Sequence, residues 1–68
     1  MIKRSAGLTL LSPRQREILR LRERGKVVKE IAAELDISAS TVKFHLSGAF
    51  RRLRAKSTTE ALYKLRHA

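Results

Sequence analysis

Between Asp36 and Glu60 the chain carries no carboxylate, while Lys43, Arg51, Arg52, Arg54 and Lys56 all fall in that interval. Cations with no acid beside them suit a polyanion, because nothing repels the phosphates and each neutralised phosphate releases its counterions. Placed at about 100° per residue around a helix, Ser40, Phe44, Ser47, Gly48 and Arg51 gather on one side with Lys43 beside them. A lysine can donate to guanine O6 and N7, a phenylalanine can touch a thymine methyl, and a serine hydroxyl can bond either kind of base. Ser40, Lys43, Phe44 and Ser47 are therefore candidate base-reading residues, and Arg51, Arg52 and Arg54 are candidate phosphate contacts. The bland alternative for the cations is a solvated basic helix face.

Ser38, Ser40 and Thr41 open this helix, where free backbone N–H groups and the helix dipole favour a phosphate. Capping is the better account of Ser38; for Thr41, capping and phosphate contact both stay open. Gly48 costs about 1 kcal/mol relative to alanine in mid-helix. Close approach to DNA would explain it, and so would simple tolerance. Phe44 lies nearly opposite Val42 and Leu53, so burial in their core is not expected. His45 borders the apolar stripe and reads as a hydrogen-bonded structural residue.

The elements that must position these residues follow from periodicity and caps. Helix 1 should start at Ser12, with Pro13 at its first position, Gln15 completing a capping box, and Gly25 as its stop. Helix 2 should run from near Val28 to Leu35 and bury Ile31, Ala32 and Leu35; Val27 and Val28 offer it no side-chain cap. Asp36 and Ser38 bracket a tight turn, with Ile37 pointing inward. Helix 3, about 39–54, should bury Val42, Leu46, Ala49 and Leu53. Helix 4 opens on Ser57-Thr58-Thr59-Glu60, a full capping-box pattern, and supplies Ala61, Leu62 and Leu65 to the core. The expected fold is all-α, with four helices and short loops. Two short helices joined by so brief a turn must cross steeply, which is a helix-turn-helix. Its second member is amphipathic, with a basic, small-polar outer side suited to a DNA major groove.

Composition bounds the alternatives. The chain has 68 residues, no cysteine, and a net charge of +10 from 16 Lys+Arg against 6 Asp+Glu. One domain is expected: 8–68 as the folded unit, and 1–7 as a flexible basic arm or linker remnant. A disulfide or thiolate zinc framework is ruled out. Nucleic acid is the first expected partner, and an anionic membrane the second. Apolar runs as short as Ile31 to Ala33 exclude a membrane-spanning helix, and no signal-peptide segment follows the basic start. Catalysis finds little support. The two histidines are far apart, Gly7, Gly25 and Gly48 form no phosphate-cradling loop, and Glu30 and Glu34 read as surface or salt-bridge residues. No enzyme activity, metal or cofactor is expected.

The ordered pieces Leu11-Ser12-Pro13-Arg14-Gln15-Arg16-Glu17-Ile18-Leu19, Gly25, Lys29-Glu30-Ile31-Ala32, Leu35, Ile37-Ser38, Thr41-Val42-Lys43-Phe44-His45-Leu46, Arg52-Leu53 and Ala61 cover nearly the whole chain from about residue 8. In these pieces the chain resembles the LuxR-type helix-turn-helix domain of bacterial transcription regulators. The Thr-Val-Lys-Phe-His string is most similar to the quorum-sensing branch. The resemblance implies a four-helix domain whose third helix reads the major groove and whose fourth often forms the dimer contact. It implies base-reading positions for Lys43, Phe44 and Ser47, and phosphate neighbours for Thr41 and Lys29. The chain departs from the pattern at Val27-Val28, at Arg54 where a glycine commonly ends helix 3, at Ala55 and at Thr58. Arg54 leaves either a longer helix or an added phosphate contact.

Together these features predict a sequence-specific, cytoplasmic, nucleoid-associated regulator or its isolated effector domain. It should bind double-stranded DNA as a homodimer and hold no small-molecule ligand within this domain. Leu62, Tyr63 and Arg66 are the candidate dimer residues; for Tyr63 the alternative is packing against helix 1. RNA polymerase is a candidate further partner. The rivals are a sigma-factor region-four-like domain, a basic RNA-binding structural protein, and a membrane-active cationic peptide.

Overall fold

The computed structural model describes residues 10–67. The expected arm, 1–7, lies outside them. The described residues form four helices and no strand: α1 Pro13–Glu23, α2 Val28–Leu35, α3 Ala39–Leu53 and α4 Thr58–Arg66. Among the described residues no helix is long and apolar enough to cross a membrane.

Each helix starts for a local chemical reason. At α1, Ser12 Oγ accepts the Gln15 amide at 3.1 Å, and Gln15 Oε1 accepts the Ser12 amide at 2.9 Å. Pro13 follows, where its missing N–H would have had no partner anyway. At α2, Val27 has no acceptor, but Glu30 Oε1 takes the Val27 amide at 2.9 Å. Glu30 is thus half of a capping box rather than a plain surface charge. At α4, Ser57 Oγ accepts the Glu60 amide at 3.2 Å. Glu60 Oε1 accepts not from Ser57 but from the Lys56 amide, at 2.8 Å, so the expected box is displaced by one residue.

Three helices end alike, with a residue of positive φ and a backbone bond spanning five residues. Gly25 (φ 93°) closes α1, with the Lys26 amide on the Leu21 carbonyl at 3.1 Å. Asp36 (φ 57°) closes α2, with the Ile37 amide on Ala32 at 3.0 Å; Arg54 (φ 56°) closes α3, with the Ala55 amide on Phe50 at 2.8 Å. This closure satisfies carbonyls that the helix leaves unpaired. Helix 3 therefore does not extend through Arg54. The arginine takes the left-handed conformation that a glycine would adopt freely.

Helix α3 is the hub and packs against all three others. Val42, Leu46, Ala49 and Leu53 turn inward to meet Leu11, Ile18, Leu19, Leu21, Ile31, Ala32, Ala61 and Leu65. Ile18, Leu19, Ile31 and Val42 are wholly buried. Replacing such a leucine or isoleucine with alanine costs about 2–5 kcal/mol, a large share of what so small a domain has. Leu35, Ile37 and Leu62 lie at the edge of this core. The Asp36-Ile37 turn, pinned by its αL residue and by Ile37, is what fixes α3 against α2.

Candidate nucleic-acid interface

The capped end of α3 forms first. Ser38 Oγ accepts the Thr41 amide at 3.0 Å and shares a hydrogen bond with Thr41 Oγ1 at 2.9 Å. Ser38 is the cap, and the Thr41 hydroxyl bonds the Ser38 hydroxyl rather than a backbone amide. If Ser38 donates its proton to Thr41 Oγ1, the Thr41 proton stays free for a phosphate.

Ser40, Lys43, Phe44, Ser47 and Arg51 are all exposed, on the side of α3 away from Val42, Leu46, Ala49 and Leu53. Phe44 is 71% exposed, the highest value among the described large apolar side chains. Leaving an aromatic ring in water is unfavourable unless something covers it in the working state. His45 is half-buried at the flank and meets the Phe44 ring edge-on, with centroids 5.7 Å apart. Among the described residues no hydrogen bond holds His45, contrary to expectation. The ring contact steadies Phe44 in its outward pose.

Gly48 leaves the outward set. It is half-buried, and a β-carbon there would stand 2.7 Å from Gln15 Nε2. The helical-wheel angle is right, but α1 covers that flank. Gln15 is itself buried, and its other side-chain atom is tied to the Ser12 amide. Gly48 is small because the capping box of α1 lies over it.

The cations divide in the same way. Arg51 and Arg54 are exposed, and Lys29 is exposed in the first turn of α2. Arg52 instead donates Nη1 to the Leu10 carbonyl at 2.8 Å. It ties α3 to the segment before α1, so a phosphate would have to compete with that bond. No sequence signal marked Leu10 as its partner. On α4, Arg66 Nε donates to Glu23 Oε2 of α1 at 3.3 Å, which makes it an intramolecular tie. Leu62 is half-buried against the core. Tyr63 is 61% exposed and packs its ring on His67, with centroids 4.3 Å apart, so it is not part of the core. Near this corner the Lys56 amide, and then Lys64, hold the Glu60 carboxyl below the usual carboxylate range. Lys64 also donates to the Arg54 carbonyl at 2.9 Å, which ties α4 to the end of α3.

A family model described as bacterial regulatory proteins of the luxR family matches residues 9–65. The chain belongs to this family. The luxR-type domain is a DNA-binding helix-turn-helix of transcription regulators and is not enzymatic, as expected. The spore germination protein GerE of Bacillus subtilis is 43% identical over 82% of this chain and 76% of its own length. The nitrate/nitrite response regulator protein NarL of Escherichia coli is 45% identical over 75% of this chain and 24% of its own. The quorum sensing-dependent transcriptional regulator RpaR of Rhodopseudomonas palustris is 46% identical over 79% of this chain and 22% of its own. The chain thus spans most of GerE, and 29% or less of the longer relatives named here or matched beside them. No solved structure matches the chain significantly. In the luxR-type frame, the exposed set Ser40, Lys43, Phe44 and Ser47 belongs to the helix that follows the turn.

Proposed function

We propose that this luxR-type domain binds a specific double-stranded DNA site as a homodimer, with α3 in the major groove. The observation that carries the proposal is the outward side of α3. Ser40, Lys43, Phe44 and Ser47 are exposed together, one of them an aromatic ring, on a segment that holds no carboxylate from Ile37 to Thr59. Lys43 donates to a guanine, Phe44 covers a thymine methyl, and the two serines adapt to neighbouring base edges. Arg51, Arg54, Lys29 and the Thr41 hydroxyl grip phosphates around them, and Arg52 joins if it leaves Leu10. Tyr63 is the anchor of the dimer contact, with Leu62 at its edge; Arg66 orients α4 through Glu23 rather than reaching a partner. On this reading the protein acts in the bacterial cytoplasm on the nucleoid, needs no ligand within this domain, and can touch RNA polymerase when bound.

Selection from a random DNA pool tests the proposal. The expected product is a two-fold motif whose half-sites are about 34 Å, one helical turn, apart. A pool with no enriched motif, together with tight binding to structured RNA, would favour an RNA-binding structural protein instead.

A further inference from the structure

An open groove of about 380 Å³ is lined by Pro13, Arg16, Glu17, Arg20, Leu21 and Arg24 of α1 and its cap, and by Glu34 of α2. No residue of α3 or α4 contributes to it, so DNA seated on α3 leaves it open. Arg16, Arg20 and Arg24 recur every fourth residue and form one ridge on the helix surface. Like charges at this spacing repel and destabilise a helix, so the ridge is costly unless an anion meets it.

The carboxylates beside the ridge are already engaged elsewhere. Glu17 pairs with Arg14 at 3.2 Å, and Glu34 pairs with Lys26 at 3.7 Å. Among the described residues, none of Arg16, Arg20 and Arg24 has an ion-pair or side-chain hydrogen-bond partner. The exposed Pro13 ring gives the groove an apolar spot at one end of the guanidinium row, and Leu21 is buried beneath it. A row of free guanidiniums ending at an exposed proline ring matches a run of carboxylates with an aliphatic neighbour. Guanidinium forks take carboxylates bidentately, which favours an acidic protein segment over a diffuse counterion cloud.

We infer that this groove is a docking site for an acidic, partly aliphatic protein segment, separate from the DNA-binding side. The domain would thereby hold DNA on α3 and an acidic partner on α1 together.

The test uses the full chain and a short synthetic peptide that alternates Asp or Glu with Leu. Amide chemical-shift changes on adding the peptide should centre on residues 13–24 and Glu34 and leave 40–51 unmoved. The R16Q/R20Q/R24Q variant should bind the peptide about tenfold or more weakly, as expected for three exposed charge pairs. Glutamine has a helix propensity close to that of arginine, so α1 should persist, and circular dichroism checks it. Affinity for a random-sequence duplex, and its salt slope, should change little. Three results would overturn the inference: shifts centred on α3, unchanged peptide affinity in the variant, or a variant whose DNA salt slope falls by two or more. The last would make the ridge a second DNA surface. None of these bears on whether α3 reads bases.

Discussion

Arg54→Gly should make the domain more stable and a poorer DNA binder at once. Arg54 holds φ 56° and ψ 41°, and the closure of α3 depends on that conformation. A left-handed residue with a β-carbon costs about 1–2 kcal/mol. Glycine removes that cost but adds about 0.5–1 kcal/mol of unfolded-chain entropy. The backbone bonds stay, since the Ala55 amide reaches Phe50 and Lys64 reaches the Arg54 carbonyl whatever the side chain. The net gain spans about 0–1.5 kcal/mol, and its midpoint, about 0.75 kcal/mol, raises Tm by roughly 3–6 °C in so small a domain. The exposed guanidinium is lost, so the slope of log affinity against log salt should fall by about 0.9. Arg54→Ala separates the two effects, because it keeps the strain and drops the charge: the slope should fall with no gain in Tm. Calorimetry and salt titrations on one duplex suffice. If the glycine variant melts no higher than the parent, the αL cost assigned to Arg54 is wrong. If both variants keep the full slope, Arg54 touches no phosphate.

Lys43→Ala should lose roughly 1–3 kcal/mol at one base pair of a selected site and relax preference there; uniform weakening on all sequences would make Lys43 a phosphate contact only. Gly48→Ala gains about 1 kcal/mol of helix propensity but loses about as much by displacing Gln15 from its cap. The same change made in Gln15→Ala should therefore stabilise by about 1 kcal/mol, and an identical effect in both backgrounds, read by urea melts, would break the proposed link. Tyr63→Ala should abolish cooperativity on a two-site duplex while sparing half-site affinity, whereas equal loss on both would remove Tyr63 from the dimer contact. Glu60 has a depressed folded-state pKa, so its contribution is present at neutral pH and lost as pH falls through that value. Stability of Glu60→Gln should accordingly fall less steeply on acidification than that of the parent, and parallel acid melts would count against it.

Most of the fold was legible because three of the four helices, α2 excepted, announce their starts locally. Ser12-Pro13 with Gln15, Ser38, and Ser57 start helices by chemistry within three residues, and the apolar stripes then choose the buried sides. What could not be read depends on which neighbour covers a flank. The angle of Gly48 on α3 was right, yet its meaning came from Gln15, more than thirty residues earlier in the chain. Arg52 and Arg66 follow the same logic. Each looks like a free cation in sequence, and each is turned to a partner more than forty residues away. Arginine is prone to this ambiguity, since its long stem and five donors can satisfy an own-chain carbonyl or carboxylate as well as a phosphate. Phe44 was placed more securely because it lies near the middle of the uncovered side, while Lys43 sits on the flank that α1 leaves open. A helical wheel therefore shows which residues leave the core, but not which flank of the exposed arc a neighbouring helix covers. In this domain α1 and the segment ahead of it cover the flank that holds Gly48 and Arg52 and leave the flank of Lys43 open.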